Sequence, residues 1–216
     1  MWIKFVNTFT KVTGWLAQKI VFRIKIFYED KTCQSRKIEG AAILMSNHTS
    51  VWDYAIWLFV FIRRTLRFQM AELLFDKPVL SIFLRSMGGI RVDRTAHDFS
   101  FMDASMKVLE DGGVVGVFPE SRIPQPGEQR PLPFKPSAAW LALMSGVPVI
   151  PVYTNGSYFR KERVRVVVGA PMYAADFTDD TLSEKENIAR VNEAFRARII
   201  ELERILHDQS ASKTPL

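Results

Sequence analysis

AAILMSNHTSVWDYAIWLFVFI, residues 41–62, changes its pattern once and so reads as two elements. Residues 41–46 are an apolar run, too short for an ordinary helix and suited to a strand buried on both faces. Residues 47–50 are polar, and residues 51–62 then form a strongly apolar helix stopped by Arg63 and Arg64. A bilayer span wants about 20 apolar residues, so this shorter segment reads as a core helix. A strand feeding directly into a helix is the first half of a βα unit, and the remaining sequence is tested against that frame.

Downstream the alternation continues. LRFQM (66–70) reads as a strand, residues 71–86 as helical with Pro78 interrupting, and GGIRV (88–92) as a strand. Residues 98–110 read as a helix ended by Gly112 and Gly113, and VVGVF (114–118) as a strand buried on both faces. PESRIPQPGEQRPLPF (119–134) holds five prolines and reads as an ordered loop. Pro136 suits the first turn of the helix SAAWLALMS, which Gly146 ends. VPVIPVY and RVRVVVG are strands, and Ser183 with Glu186 makes a capping box for a last long helix. Its apolar stripe is Ile188, Val191, Phe195, Ile199, Leu202 and Leu206. The pattern predicts an α/β fold: one domain over 36–209, with a mixed, largely parallel sheet flanked by helices, and a frayed tail at 210–216.

Upstream, residues 1–27 place Lys4, Lys11, Gln18 and Lys25 seven apart along one side of a helix. Trp2, Phe5, Val6, Phe9, Val12, Leu16, Ile20 and Ile24 fall opposite. Residues 1–40 carry eight Lys or Arg against three acids, nearly all of the chain's net charge of +6. Positive charge gathered at one end suits an anionic polymer or an anionic membrane surface rather than a globally basic nucleic-acid protein. Such a helix either docks on its own domain or lies in the lipid interface. It is too charged to span a bilayer and lacks the small-residue cleavage site of a signal peptide. Residues 1–35 therefore read as an amphipathic segment, with the docked and the membrane-associating readings both standing.

The single cysteine, Cys33, excludes an internal disulfide and a multi-cysteine zinc site. His48, His97 and His207 lie far apart without metal-ligand spacing, so no metal is expected. His48 stands between the first strand and its helix, the strand end where α/β folds keep their sites. On one helix His48 and Asp53 would point about 140° apart, but with His48 in the turn the carboxylate can fold back to the imidazole. A carboxylate on one ring nitrogen fixes the tautomer and leaves the other to take a proton from a hydroxyl. The competing reading is structural: Ser50 and Asp53 form an N-cap pattern, and an acid near a helix N-terminus is favoured by the dipole. No serine or cysteine lies in a GxSxG context, so a covalent nucleophile is not indicated.

Two further stretches carry candidate anion-binding groups. In VFPESR (117–122) Arg122 is placed to grip a phosphate or carboxylate, with Glu120 orienting it or meeting a hydroxyl, or the two form a plain surface salt bridge. In GGIRVDR (88–94) two glycines permit close backbone approach, and Arg91 and Arg94 supply cations.

Taken in order, NHTSVWD, GGIRVDR, VFPESR and VPVIPV resemble the four sequence blocks of the glycerophospholipid acyltransferases, the family that includes the lysophosphatidic acid acyltransferases. The likeness spans residues 40–155. It implies acyl transfer from a thioester, acyl-CoA or acyl carrier protein, to the free hydroxyl of a lysophospholipid acceptor, most often 1-acylglycerol 3-phosphate. His48 would be the general base and Asp53 its partner, supported by Asn47 and Ser50, with Arg91, Arg94, Glu120 and Arg122 about the acceptor phosphate. No bound cofactor is implied. Family members carry an N-terminal membrane-binding element, which implies a peripheral or monotopic protein on the cytoplasmic face of the cell membrane, with an anionic phospholipid surface as partner. Two blocks depart from the family pattern. FPESR stands where FPEGTRS is usual, one residue shorter and without the glycine, and FKPSAA stands for FKxGAA. Both bear on the acceptor head group, so another lysophospholipid or a lipid-linked alcohol is the alternative acceptor. A non-catalytic lipid-binding protein is the alternative class.

Overall fold

The computed structural model describes residues 1–93 and 99–211, which leaves Arg94 and His97 outside the described part. The chain opens with helix α1 (Trp2–Val21) and strand β1 (Lys25–Tyr28). It continues through β2 (Ala42–Ser46), α2 (Asp53–Val60), β3 (Leu66–Ala71), α3 (Pro78–Met87) and β4 (Ile90–Val92). After α4 (Ser100–Glu110) and β5 (Val114–Val117) come α5 (Ser137–Ser145), β6 (Val149–Thr154), β7 (Arg165–Val168) and the long α6 (Glu184–Ala211).

The strands form one sheet in the order β1-β7-β6-β2-β5-β3-β4, with every neighbouring pair parallel except β6 and β7. The mixed, mostly parallel sheet is therefore as the sequence predicts. β2 lies at its centre between β6 and β5, and all five of its residues are buried. Strand alternation divides them between two layers. Ala42 and Leu44 face the layer that holds Ile56 and Trp57 of α2, whereas Ile43 and Met45 face Ala139 and Leu141 of α5 and Val191 and Phe195 of α6. Covering both faces is what a parallel sheet requires, and it explains why the strands read as unbroken apolar runs. The capping box is present: Ser183 N donates to Glu186 Oε2 (2.9 Å), and Glu186 N to Ser183 Oγ (3.4 Å).

Three local expectations need correction. The opening helix stops at Val21 rather than running to residue 27, and β1 follows as a sheet strand with Phe27 buried. Arg23, with φ 47°, makes the turn between them, and periodicity alone could not separate a short strand from the last turn of a helix. Pro78 does not interrupt a helix but starts one: it occupies the first turn of α3, where a proline loses no hydrogen bond, and a single 3-10 turn (Glu72–Leu74) precedes it. α2 spans Asp53–Val60 and not 51–62.

α1 docks in an unexpected sense. Its buried residues are Asn7 and Lys11. Asn7 Nδ2 donates to the Met87 carbonyl that ends α3 (2.9 Å), and Lys11 Nζ to the carbonyls of Ile62 (3.3 Å) and Arg64 (2.5 Å) after α2. These polar side chains bond the carbonyl that the end of α3 leaves orphaned and two carbonyls of the turn after α2. Burial lowers the Lys11 ammonium to about 8. The apolar stripe of Trp2, Phe5, Phe9, Val12, Leu16 and Ile20 faces outward, each of them at least 60% exposed. No described helix is long and apolar enough to cross a membrane.

Candidate active site

The centre of the sheet positions the site. At the C-terminal ends of β2, β5 and β6 the chain enters three adjacent loops, carrying His48, Glu120 and Tyr158. Asn47 ties the first loop to the third: its Nδ2 donates to the Thr154 carbonyl and its Oδ1 accepts from the Thr154 amide, both at 2.9 Å. This is a strand-like pairing made by a side chain just where the β2–β6 ladder stops.

Asp53, fully buried, accepts five hydrogen bonds. Its Oδ2 faces His48 Nδ1 at 2.9 Å and takes the amides of Thr49 (2.6 Å) and Ser50 (2.9 Å). Its Oδ1 takes the Thr49 hydroxyl (2.8 Å) and the Tyr158 hydroxyl. Neither Ser50 nor Asp53 caps α2 with its side chain; Asp53, the first residue of the helix, folds back over the turn that precedes it. Ser50 does not bond into the helix with its side chain; its Oγ accepts the Trp52 amide at 3.3 Å and its carbonyl accepts the Asp53 amide at 3.1 Å.

The His48 ring stacks on Phe118 with centroids 4.3 Å apart, and Phe118 stacks on Phe68 at 5.0 Å. Gly116 in β5 makes this floor possible, because a Cβ there would lie 2.5 Å from the Phe68 ring. With Nδ1 facing the carboxylate and the ring fixed from below, Nε2 is the nitrogen left for proton transfer. The imidazole side chain is 18% exposed, enough for a substrate to reach it.

Glu120 is buried, and both its oxygens are engaged: Oε1 accepts the His48 amide and Oε2 the Leu132 amide, each at 2.8 Å. Burial pushes its carboxyl up while the two amides pull it down. Glu120 therefore holds the base's backbone in place rather than orienting Arg122. Arg122 instead forms a two-pronged pair with Glu128, both N–O distances 2.7 Å, and Glu128 also accepts the Gln125 amide (2.6 Å). Ser121, between them, has φ 60°, a left-handed conformation at the place where the family pattern has its glycine. Serine adopts here a strained region that glycine would enter without cost.

The loop after β5 borders a cavity of about 630 Å³ lined by Gln69, Phe118, Glu120, Arg122, Lys135 and Ser137 among others; neither His48 nor Tyr158 lines it, and His48 meets it through Phe118, on which its ring stacks. Val92 and Asp93 bring the end of β4 to the same cavity, but Arg91 pairs with Asp93 at 3.5 Å and does not line it. Arg94 lies outside the described residues. Three participants were not legible beforehand. Lys135 is anchored by its amide to the Pro119 carbonyl (2.8 Å), which places it beside Arg122 on the cavity wall. Glu128 was hidden among prolines. Tyr158 follows the fourth sequence block, and its only local signal is the turn TNGSY; Gly156 there has φ 64° and sits so close that a Cβ would meet Thr49 Oγ1 at 2.6 Å. Burial and the Asp53 carboxylate both raise the Tyr158 hydroxyl far above its ordinary range, so it remains a donor.

The mostly parallel α/β sheet flanked by helices is a fold shared with a solved acyltransferase. The 1-acyl-sn-glycerophosphate (LPA) acyltransferase PlsC of Thermotoga maritima superposes with a TM-score of 0.63 over 93% of this chain and 79% of that one, at 23% identity. A family model described as Acyltransferase matches residues 25–155, more than half of the chain and every element from β1 to β6. The chain belongs to that acyltransferase family. The 1-acyl-sn-glycerol-3-phosphate acyltransferase of Bacillus subtilis (strain 168) is 30% identical over 135 residues, which is 60% of this chain and 65% of that relative. The match thus spans a little under two thirds of that relative's length.

Proposed function

We propose that this protein is an O-acyltransferase that moves a fatty acyl group from acyl-CoA or acyl carrier protein to the free hydroxyl of 1-acylglycerol 3-phosphate, giving phosphatidic acid. The observation that carries this reading is the 2.9 Å contact of His48 Nδ1 with the buried Asp53 carboxylate. His48 Nε2 takes the acceptor's hydroxyl proton as the oxygen attacks the thioester carbonyl. Asp53 stabilises the imidazolium that forms. The tetrahedral oxyanion then collapses, the C–S bond breaks, and the imidazolium returns its proton to the departing thiolate. The acceptor phosphate would sit in the 630 Å³ cavity, drawn by Lys135 and by Arg122 released from Glu128.

The name of the Bacillus subtilis relative supports the acceptor. The outward apolar face of α1 supports action at a membrane surface, on its cytoplasmic side where acyl thioesters are found, as a peripheral or monotopic protein. One observation favours a second acceptor: because Arg122 is already neutralised by Glu128, a lysophospholipid or lipid-linked alcohol with a less charged head group also fits. The test is a panel of acceptors and both donors with purified protein, products detected by mass spectrometry. Phosphatidic acid formed in preference to every other product supports the first reading. Preferred acylation of another acceptor establishes the second, and no transfer with any pair refutes both.

A further inference from the structure

Phe22, the residue that caps the C-terminus of α1, is buried in an aromatic cluster beside the His48–Asp53 pair. Its ring lies 6.1 Å from Trp52, 6.0 Å from Tyr158 and 5.3 Å from Phe159, and Trp52 and Phe159 are 5.1 Å apart. Trp52 immediately precedes Asp53 in the chain, and Phe159 follows the tyrosine that bonds to it.

Trp52 and Phe159 are nonetheless largely exposed, 45% and 58%, and Val51 beside them is 68% exposed. Phe159 is held at φ 56°, a conformation that bulky residues rarely adopt. Strain of this kind persists only where the surroundings enforce it, and here it displays an aromatic ring to solvent. The same loop continues with Arg160, Lys161 and Arg163, all exposed, against the single acid Glu162, which lies 3.7 Å from Arg165. Arg23 at the end of α1 donates to the Lys161 carbonyl and so fastens this loop to the helix.

Exposed aromatics rimmed by cations fit the interface of an anionic bilayer, where rings settle among the head groups and lysines and arginines meet phosphates. A free anion calls for the cations but not for the exposed rings, and the lysine and two arginines stand at the rim of the rings, where head-group phosphates would lie. The outward face of α1 runs to Ile20 and Val21, both exposed, and Phe22 joins it to this patch.

We propose that Val51, Trp52 and Phe159, rimmed by Arg160, Lys161 and Arg163, form a contact with anionic lipid beside the His48–Asp53 pair, distinct from the outward apolar face of α1. It rests on the membrane-surface acyltransferase reading only in giving a lipid acceptor a direct way from the bilayer to His48. Two contacts, one at each end of Phe22, would also fix the tilt of the catalytic face against the membrane.

The test is co-sedimentation of the full chain with vesicles of phosphatidylcholine, with and without phosphatidylglycerol. Phe159→Asn, a residue that tolerates positive φ, should weaken partitioning on the order of tenfold, the scale of withdrawing one aromatic side chain from an apolar environment. Arg160→Glu with Lys161→Glu should weaken it on the order of tenfold or more on anionic vesicles alone, an effect erased by high salt. Because these two cations make no side-chain packing that the fold needs, the charge variant remains informative if Phe159→Asn misfolds. Wild-type partitioning in the charge variant, or a wild-type protein that does not bind vesicles, overturns the proposal. A lipid-free dimer that Phe159→Asn dissociates also overturns it, since a second copy would then cover the patch. The readout needs no acyl transfer, so vesicle binding without activity would refute the acyltransferase reading and leave the contact standing.

Discussion

Glu120 and His48 are joined through the backbone: a buried carboxylate oxygen accepts the histidine's amide at 2.8 Å, while its twin accepts Leu132. Replacing Glu120 by Gln puts an amide donor opposite one of these two N–H groups. A lost hydrogen bond to a charged acceptor costs about 1.5–3 kcal/mol. Glu120→Gln should therefore lower both kcat and the stability to urea, with the acceptor's KM little changed. A raised acceptor KM at unchanged stability would show instead that Glu120 touches the substrate.

His48→Ala should abolish transfer, removing the roughly 10²- to 10⁴-fold that a positioned base supplies. Asp53→Asn should approach the same loss and also destabilise the fold, because its amide would face donors where the carboxylate accepts five. Initial rates with labelled acyl-CoA measure both, with circular dichroism to confirm folding. Undiminished transfer by His48→Ala would remove the histidine from the mechanism.

The Arg122–Glu128 pair makes opposite predictions for its two members. Arg122→Ala should raise the acceptor's KM, whereas Glu128→Gln should free the guanidinium and lower the KM for a phosphate-bearing acceptor. Lys135→Ala should raise it too. Steady-state kinetics against acceptor concentration decide this, and parallel effects of Arg122→Ala and Glu128→Gln would mean that the pair only braces the loop.

Ser121 occupies φ 60° at a cost that glycine would not bear, though glycine loses more chain entropy on folding. The two effects offset, so Ser121→Gly should change stability by less than about 0.5 kcal/mol, while the β-branched Ser121→Val should cost about 2 kcal/mol. Urea unfolding of the two variants tests it; equal stabilities would argue against a left-handed turn.

Lys11 links the docking of α1 to pH. Its ammonium titrates near 8 when buried and near 10.5 when free. Below 8 both states hold the proton and the full burial penalty is present. Between 8 and 10.5 the undocked state binds more protons, so stability rises with pH through that window. Unfolding free energy should climb more steeply there in the wild type than in Lys11→Met, and equal slopes would place Lys11 in water.

What the sequence determined was local. The change of pattern within residues 41–62 defined the central βα unit, and the five-residue spacing of His48 and Asp53 made their contact possible, because one turn joins them. The capping reading of that stretch does not hold, since no side chain caps α2; the bonds that fold Asp53 over the preceding turn are instead those that bring it to the imidazole. Tertiary structure decided everything that depends on distant chain. Tyr158 reaches Asp53 across 105 residues and Glu120 reaches His48 across 72, and neither spacing leaves a periodic trace. α1 shows the limit most plainly: periodicity revealed two faces but not which one docks. The orphan carbonyls of Ile62, Arg64 and Met87 settled it by taking Lys11 and Asn7 inward, which left the aromatic face turned out.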